Sequence, residues 1–164
     1  MFRPDLVDVW VFRVGSAAGG ELELLLMRRS AGRILAGLWQ GVSGSLEADE
    51  RIVAGGLREL REETGIDDEA IEAFYDLDQV NQFHEPSVDA IVTAAIFAVR
   101  VRPDVEPVLS HEHDALRWVS PAGALELVVW PAYRESIARI ERDLVDPNRA
   151  RWFQLQLDGA RVVR

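Results

Sequence analysis

The sequence contains no cysteine, and its 18 basic residues are all arginine. The absence of cysteine excludes disulfides, thiol nucleophiles and thiolate metal sites. The absence of lysine excludes Schiff-base chemistry and the lysine of a Walker A phosphate loop. No apolar run approaches the roughly 18 residues that a membrane span needs, and the N-terminus lacks the apolar core of a signal peptide. We therefore expect a cytoplasmic protein that does not bind membranes.

The composition is that of a globular protein, with 48% hydrophobic and 28% charged residues. A chain of 164 residues is expected to form one domain, here residues 1–164. The net charge of −10 argues against nonspecific binding to nucleic acids. A phosphorylated small molecule would need metal ions or well-placed arginines to approach such a surface.

The most informative segment, residues 44–66, holds a cluster of carboxylates on a predicted helix from about 51 to 64. Glu59, Glu62 and Glu63 fall within an arc of about 100° on that helix, and we expect this edge to be exposed and to face a cleft. Like charges at this spacing repel one another. Carboxylate oxygens are the ligands that Mg²⁺ prefers, so the cluster predicts a metal site.

The same helix carries an apolar stripe that predicts packing on a sheet: Val53, Leu57 and Leu60. Gly65 stands where a left-handed helix end is expected. Glu50 precedes the helix, and Arg58 is spaced to pair with a carboxylate and fix the geometry of the cluster. The alternative, a solvent-exposed helix held by Glu/Arg pairs, explains a charge run in general but not this spacing.

That spacing resembles the signature of the Nudix hydrolases: Gly44, five residues, Glu50, seven residues, then Arg58-Glu59-Leu60-Arg61-Glu62-Glu63-Thr64-Gly65-Ile66. The resemblance implies a mixed sheet sandwiched between helices, in the α/β (α+β) class. It also implies Mg²⁺-dependent hydrolysis, with Mn²⁺ as a substitute, of a nucleoside diphosphate linked to another group. Asp49 departs from the glycine that many members have at this place, and we expect no loss of activity from it.

The family roles carry over onto the matching positions. Glu59, Glu62, Glu63 and the carbonyl of Gly44 become candidate metal ligands, whereas Arg58 and Glu50 become an orienting pair. The carboxylate that also deprotonates the water varies within the family, which leaves Glu62 and Glu63 both open.

A further carboxylate is expected from outside this segment. The resemblance implies it, because several family branches supply a late glutamate and Glu112 in Ser110-His111-Glu112-His113-Asp114 stands in the matching region. It is a candidate metal ligand or base. His111 and His113 flank it, so a zinc site is a weaker alternative to oxygen-ligated Mg²⁺.

The substrate is suggested by a looser resemblance to the branch that cleaves dihydroneopterin triphosphate or dATP, carried by Leu38-Trp39-Gln40 and residues 112–122. Trp39 and Trp130 are candidates for stacking on a flat ring, with a core role as the alternative. Arg28 and Arg29 are candidates for the phosphate chain, and Gln82 for the edge of the base. Rival functions are hydrolysis of dinucleoside polyphosphates or ADP-ribose and, from a different class, nucleotide binding without cleavage.

The remaining pattern predicts the elements that surround the carboxylate helix. Strands are expected at residues 7–14, 21–27, 38–43, 71–80, 90–101 and 116–119, with a turn at 16–20. Helices are expected from Pro121 and from Trp130 to about 144. Residues 145–164 form a C-terminal appendage, predicted as an edge hairpin at 152–163 or an arm of a homodimer.

Overall fold

A computed structural model describes residues 3–15 and 20–163 of the chain. The strands are β1 Leu6–Val14, β2 Leu22–Arg29, β3 Trp39–Gln40, β4 Val42–Ser45, β5 Ile71–Glu85, β6 Ala90–Val101, β7 His113–Val119 and β8 Gln154–Leu155. The helices are α1 Ile52–Thr64, α2 Pro121–Leu127, α3 Pro131–Arg139 and α4 Pro147–Ala150. A 3₁₀ turn, Asp68–Ala70, follows α1, and a π-helical turn, Ile140–Leu144, follows α3.

The strands form one mixed sheet in the order β3-β2-β1-β6-β5-β8, with β4 also paired to β1 and β7 also paired to β2. β1 and β6 run parallel, and the other pairs are antiparallel. Helices cover both faces, so the predicted α/β sandwich is confirmed. Among the described residues, no helix is long and apolar enough to cross a membrane.

Each face of the sheet has its own apolar core, because side chains alternate along a strand. On the α1 face, Val7 and Val9 of β1 pack with Leu57 and Leu60 of the helix. On the opposite face, Trp10 and Phe12 pack in a second cluster. The second cluster includes residues of α2, α3 and the π-helical turn: Ala124, Ile137, Ile140 and Leu144.

The sheet divides near its middle. β1 pairs with β2 from Phe12↔Leu24 to Val14↔Leu22, whereas the first half of β1 pairs with β4 and the second half of β2 pairs with β3 and β7. The single strand predicted at 38–43 is therefore wrong, because the chain changes partner at Gly41. A Cβ there would lie 3.2 Å from the carbonyl oxygen of Val9. The division opens a cleft at the edge of β4.

Other differences concern lengths. β5 continues to Glu85, beyond the predicted end at residue 80. Its register with β6 shifts between Asp76 and Gln79, but the two strands stay paired as far as Glu85 and Ala90. The C-terminal hairpin is reduced to β8, which pairs with β5, and one bridge between Leu155 and Arg161. The helix α4 at Pro147 was not predicted. In the predicted turn at 16–20, residues 16–19 lie outside the described residues.

Candidate active site

The helix α1 lies close against the sheet and presents its carboxylates along one edge of that contact. Leu57 and Leu60 are buried, and a Cβ at Gly56 would lie 3.2 Å from the Val9 side chain, so glycine permits the close approach. Gly65 ends the helix with φ 68°, and its amide donates to the carbonyl of Arg61 at 2.9 Å. The predicted helix and its left-handed end are both confirmed.

Arg58 binds carboxylates on both sides of the helix start. Its Nε and Nη2 donate to the two oxygens of Glu50 at 2.9 and 3.0 Å. Its Nη1 donates to Glu59 at 2.7 Å and to Glu62 at 3.2 Å, and Nη2 also donates to the carbonyl of Ser45 at 2.9 Å. The hydrogen bond from Arg58 holds the pKa of Glu50 below its usual range. This network fixes the loop before α1 to the middle of the helix.

Glu59 points at the backbone of Gly44. A Cβ on Gly44 would lie 1.9 Å from the Glu59 carboxyl carbon, so a residue with a side chain would displace that carboxylate. Burial raises the pKa of Glu59, Arg58 opposes the rise, and the charges of Glu62 and Glu112 add to it. Gly44 and Glu59, both predicted as metal ligands, are thus brought together.

Glu63 is the least satisfied carboxylate of the cluster. Its side chain is 4% exposed, and its Oε2 is buried without a hydrogen-bond partner among the described residues. Burial, followed by the charges of Glu59 and Glu112, raises its pKa to about 8, against the opposing effects of the Ser43 amide and Arg29. The expectation of one exposed edge is wrong for Glu63, since Glu62 is 59% exposed and Glu63 turns inward to the sheet.

Glu112 joins this cluster from the loop before β7. The amide of Ser110 donates to the carbonyl of Glu63 at 3.1 Å, which ties the loop to the end of α1. Arg33 lies 3.5 Å from Glu112 and partly neutralises it. The charge of Glu112 raises the pKa of both Glu59 and Glu63, so it lies near the α1 carboxylates, and its role as a metal ligand or base stays a prediction.

The donors fit a hard divalent cation, because a buried carboxylate oxygen without a partner and mutually repelling charges are both relieved by Mg²⁺. In the described part of the chain, no three acidic or histidine side chains yet converge as a metal site. Arg58 and Arg33 hold Glu59, Glu62 and Glu112 instead. The structure gives no support to a zinc site at the two histidines. His111 is exposed, whereas His113 is buried with its Nε2 3.4 Å from the side chain of Gln40.

The candidate substrate residues lie in separate places. Arg28 lies 5.9 Å over the ring of Trp39 and donates to Asp114 at 2.7 Å, so these side chains form one wall. Arg29 donates to the carbonyl of Ile34 at 2.7 Å, and its charge acts on Glu63. Trp130 is 43% exposed at the start of α3.

Gln82 lies apart from the other candidate substrate residues. It is exposed on β5, and β6 separates β5 from β1, so it lies on the other side of β1 from the cleft. Sequence reasoning missed three residues that do line the cleft at β4: Asp8, Ser43 and Tyr133. A signal existed for Asp8, because an acidic residue inside the β-rich run 7–14 is unusual.

A family model for the NUDIX domain matches residues 4–140. The chain belongs to the Nudix hydrolase family. It is an enzyme that acts on phosphoanhydride bonds, and members of this family act on small phosphorylated substrates and generally use divalent cations such as Mg²⁺.

Three similar proteins illustrate the range of the match. A CTP pyrophosphohydrolase of Escherichia coli K12 is 38% identical over 111 residues, 67% of this chain and 76% of that protein. An octanoyltransferase of Myxococcus xanthus is 38% identical over 123 residues, 74% of this chain, but the chain spans 33% of that protein's length. The crystal structure of a MutT protein from Methanosarcina mazei superposes with a TM-score of 0.64 and 28% identity, covering 89% of this chain and 99% of that one. Family and fold therefore agree with the carboxylate site, and pyrophosphohydrolase activity is supported.

Proposed function

We propose that this Nudix pyrophosphohydrolase cleaves a triphosphate to a monophosphate and pyrophosphate, with dihydroneopterin triphosphate and purine (deoxy)nucleoside triphosphates as the first candidates. The observation that carries the proposal is the buried Oε2 of Glu63, which has no hydrogen-bond partner among the described residues and lies within reach of the charges of Glu59 and Glu112. A protein gains nothing in stability from such a group. It is explained by a cation that binds there.

The residues that would hold Mg²⁺, or Mn²⁺ in its place, are Glu59, Glu62, Glu63, Glu112 and the Gly44 carbonyl. When bound, the cation neutralises charge on the phosphate oxygens and lowers the pKa of a water molecule. Arg58 positions Glu59 and Glu62 by direct hydrogen bonds. Arg29, whose charge acts on Glu63, supplies positive charge beside the cluster, and Arg28 supplies it beside Trp39; a protein of net charge −10 needs such charge to hold a triphosphate.

Two lines support a triphosphate as the substrate. The relative named as a CTP pyrophosphohydrolase acts on a nucleoside triphosphate and is 38% identical. The Trp39 wall, with Arg28 on its ring, offers a flat surface next to a cation, which suits a heterocyclic ring attached to phosphates. Cytosine nucleotides therefore belong in the same test as purines and pteridines.

The rivals are hydrolysis of dinucleoside polyphosphates or of ADP-ribose, and nucleotide binding without cleavage. The complete set of Nudix carboxylates favours catalysis over binding alone. No residue described above separates the three substrate classes by itself, so a substrate panel decides between them.

The panel consists of dihydroneopterin triphosphate, dATP, GTP, CTP, diadenosine tetraphosphate and ADP-ribose, each with Mg²⁺ and with EDTA. We expect Mg²⁺-dependent release of pyrophosphate from one of the triphosphates at the highest kcat/KM. A preference for ADP-ribose or diadenosine tetraphosphate would reject the proposal. Binding without turnover of any compound would support the rival of a binding module.

The role of the tryptophans is tested with Trp39→Ala and Trp130→Ala on dihydroneopterin triphosphate, dATP and dCTP. Stacking on one aromatic side chain is worth about 1–3 kcal/mol, so we expect kcat/KM to fall about ten- to a hundredfold. The fall should be larger for the two bicyclic rings than for cytosine. An equal fall for all three would assign the tryptophan to packing, which the contacts of Trp39 with Arg28 and Arg117 also permit.

A further inference from the structure

The strand β5 has an outer edge, on the side away from β6, that is covered along its first part only. β8 pairs with this edge at residues 74–75. Arg139 of α3 then donates to the carbonyls of Leu77 and Asp78 at 3.1 and 2.9 Å. From residue 80 to residue 84, no strand pairs with the outer edge in the part of the chain that the structure describes. The end of the β5–β6 hairpin therefore carries an uncovered strand edge.

The main-chain groups that point outward from this edge belong to Val80, Gln82 and His84. The amide of Thr93 on β6 donates to the Asp5 side chain at 2.9 Å, and its carbonyl accepts from the Asp5 amide at 2.9 Å. Both groups of Thr93 thus point away from β5. Gln82 lies opposite Thr93, so its own amide and carbonyl point outward. Val80 and His84 share this orientation, because it repeats every second residue and the register does not shift between them.

Apolar side chains are exposed on both faces of the same hairpin. Val80 and Ile91 lie on one face and are 64% and 65% exposed, whereas Phe83 lies on the other face and is 42% exposed. Residues 79–84 contain no Asp, Glu, Arg, Pro or Gly, although 28% of the chain is charged. Charged residues and proline are what usually keep an edge strand from pairing, so an edge without them favours a partner strand.

We propose that two copies of this chain pair antiparallel along residues 80–84, around a two-fold axis at Gln82. Gln82 then lies opposite Gln82 of the other copy, and Val80 lies opposite His84 of the other copy. Each of these pairs exchanges two N–H···O bonds, because the groups involved all point outward. The two Phe83 rings become diagonal neighbours on one face, about 7–8 Å apart and within reach of one another. The inference does not depend on the proposed substrate.

The charge distribution favours a second copy at this edge. Each copy carries a net charge of −10, so two copies repel one another wherever their acidic surfaces meet. The two-fold pairing sets no acid opposite another acid, since Glu85 lies beyond the paired residues. Both copies use the same edge, so the association closes at a dimer.

The dimer should be weak and should respond to salt. A contact along residues 80–84 buries less than the roughly 1,200–2,000 Å² of a stable interface, so we expect a dissociation constant on the order of 10–100 µM. The constant should be lower in about 500 mM NaCl than in about 50 mM, because salt screens the repulsion between the two acidic copies. Sedimentation equilibrium at about 1 µM to 1 mM protein measures both effects, since dimer formation depends on protein concentration.

The two-fold axis is tested with charges at Gln82. Gln82→Glu sets two carboxylates opposite one another and should raise the dissociation constant at least about tenfold. Gln82→Arg should have the same effect with two guanidinium groups. An equimolar mixture of the two variants should form a heterodimer at least as tight as the wild-type dimer, because opposite charges then face each other. Gln156→Glu makes the same change at an exposed residue outside the edge and should leave the constant unchanged.

A wild type that stays monomeric over the whole concentration range would overturn the inference and leave the edge to a strand of a different protein. A dimer that Gln82→Glu does not weaken, or that Gln156→Glu weakens equally, would place the contact elsewhere and overturn it too. Gln82 is exposed, so the variants are expected to fold; if one does not, the wild-type measurement still decides. Failure of the proposed function is separate, because it would show as an absence of Mg²⁺-dependent pyrophosphate release whatever the association state is.

Discussion

Glu50 and Glu63 flank the same helix and carry the same charge, yet they lie in opposite environments. Glu50 accepts two hydrogen bonds from Arg58, and its pKa is lowered as a result. Glu63 has an oxygen without a hydrogen-bond partner in the part of the chain that the structure describes, and burial raises its pKa to about 8. The charge at the start of α1 is thus compensated, whereas Glu63 near its end has no compensating partner on Oε2 among the described residues.

Within one sequence signature, some residues therefore stabilise the fold and others serve the proposed chemistry. The pair of Glu50 and Arg58 stabilises the fold and positions Glu59 and Glu62. Glu63 costs free energy where it is buried, and the metal role proposed for it accounts for that burial. The following experiments change first Glu63, near the end of α1, and then Arg58, the partner of Glu50 at its start.

The largest loss of activity is expected from a change at Glu63. Glu63→Gln should lower Mg²⁺-dependent turnover by roughly a hundred- to a thousandfold, the loss typical when one electrostatic group is removed from an active site. Its melting temperature in EDTA should not fall, because the variant replaces a buried carboxyl group that is costly to ionise with a neutral amide. Glu69→Gln, an exposed acid beyond the helix, is the control and should keep full activity. Unchanged turnover in Glu63→Gln would reject its role at the metal.

Removing the Arg58 network should reduce stability as well as activity. Arg58→Ala leaves Glu50 and Glu59 without their partner, and both are largely buried. We expect the free energy of unfolding to fall by about 2–3 kcal/mol, somewhat less than for a fully buried ion pair. Arg61→Ala on the same helix breaks one exposed pair with Asp68 and should change it by less than about 0.5 kcal/mol. Equal losses in chemical denaturation would show that the Arg58 network is not special.

A smaller effect is expected in how the free energy of unfolding depends on pH. In EDTA, Glu63 favours its protonated form in the folded state, because its pKa rises from 4.5 unfolded to about 8 folded. The contribution of Glu63 to the free energy of unfolding is therefore fully present below about pH 4.5, is lost as the pH rises towards 8 and changes no further above it. The fall should be a few kcal/mol at most. Glu63→Gln should lose that part of the slope, and parallel profiles for the two proteins would contradict the assigned environment of Glu63.

The sequence predicted the α1 half of the site well, because its features are local. Helix periodicity places Leu57 and Leu60 on the sheet, and Gly65 carries its own conformational signal. The contact of Arg58 with carboxylates also follows from spacing along one helix. The resemblance to the Nudix signature added the metal roles, which spacing alone left as a cluster of acceptors.

The parts that depend on distant contacts were not predicted. Periodicity gave Glu63 and Glu62 the same edge, but their exposure is decided by how closely α1 lies against β4, and that depends on Gly56 and Gly44. The division of the sheet at Gly41 and the pairing that sets Asp8 opposite Ser43 arise from strand contacts that no local pattern encodes. Gln82 was placed near the base because polar residues cluster there, whereas strand order puts it on the other side of β1.

The most direct test of the account is a melting experiment on the wild type and Glu63→Gln, each in EDTA and in millimolar Mg²⁺. An ion that binds the folded protein alone stabilises it by mass action, by about 2.7 kcal/mol at a hundred times its dissociation constant. The account predicts a clear rise in the melting temperature of the wild type with Mg²⁺ and a much smaller rise in Glu63→Gln. Equal midpoints with and without Mg²⁺ in the wild type, at concentrations that support turnover, would contradict it.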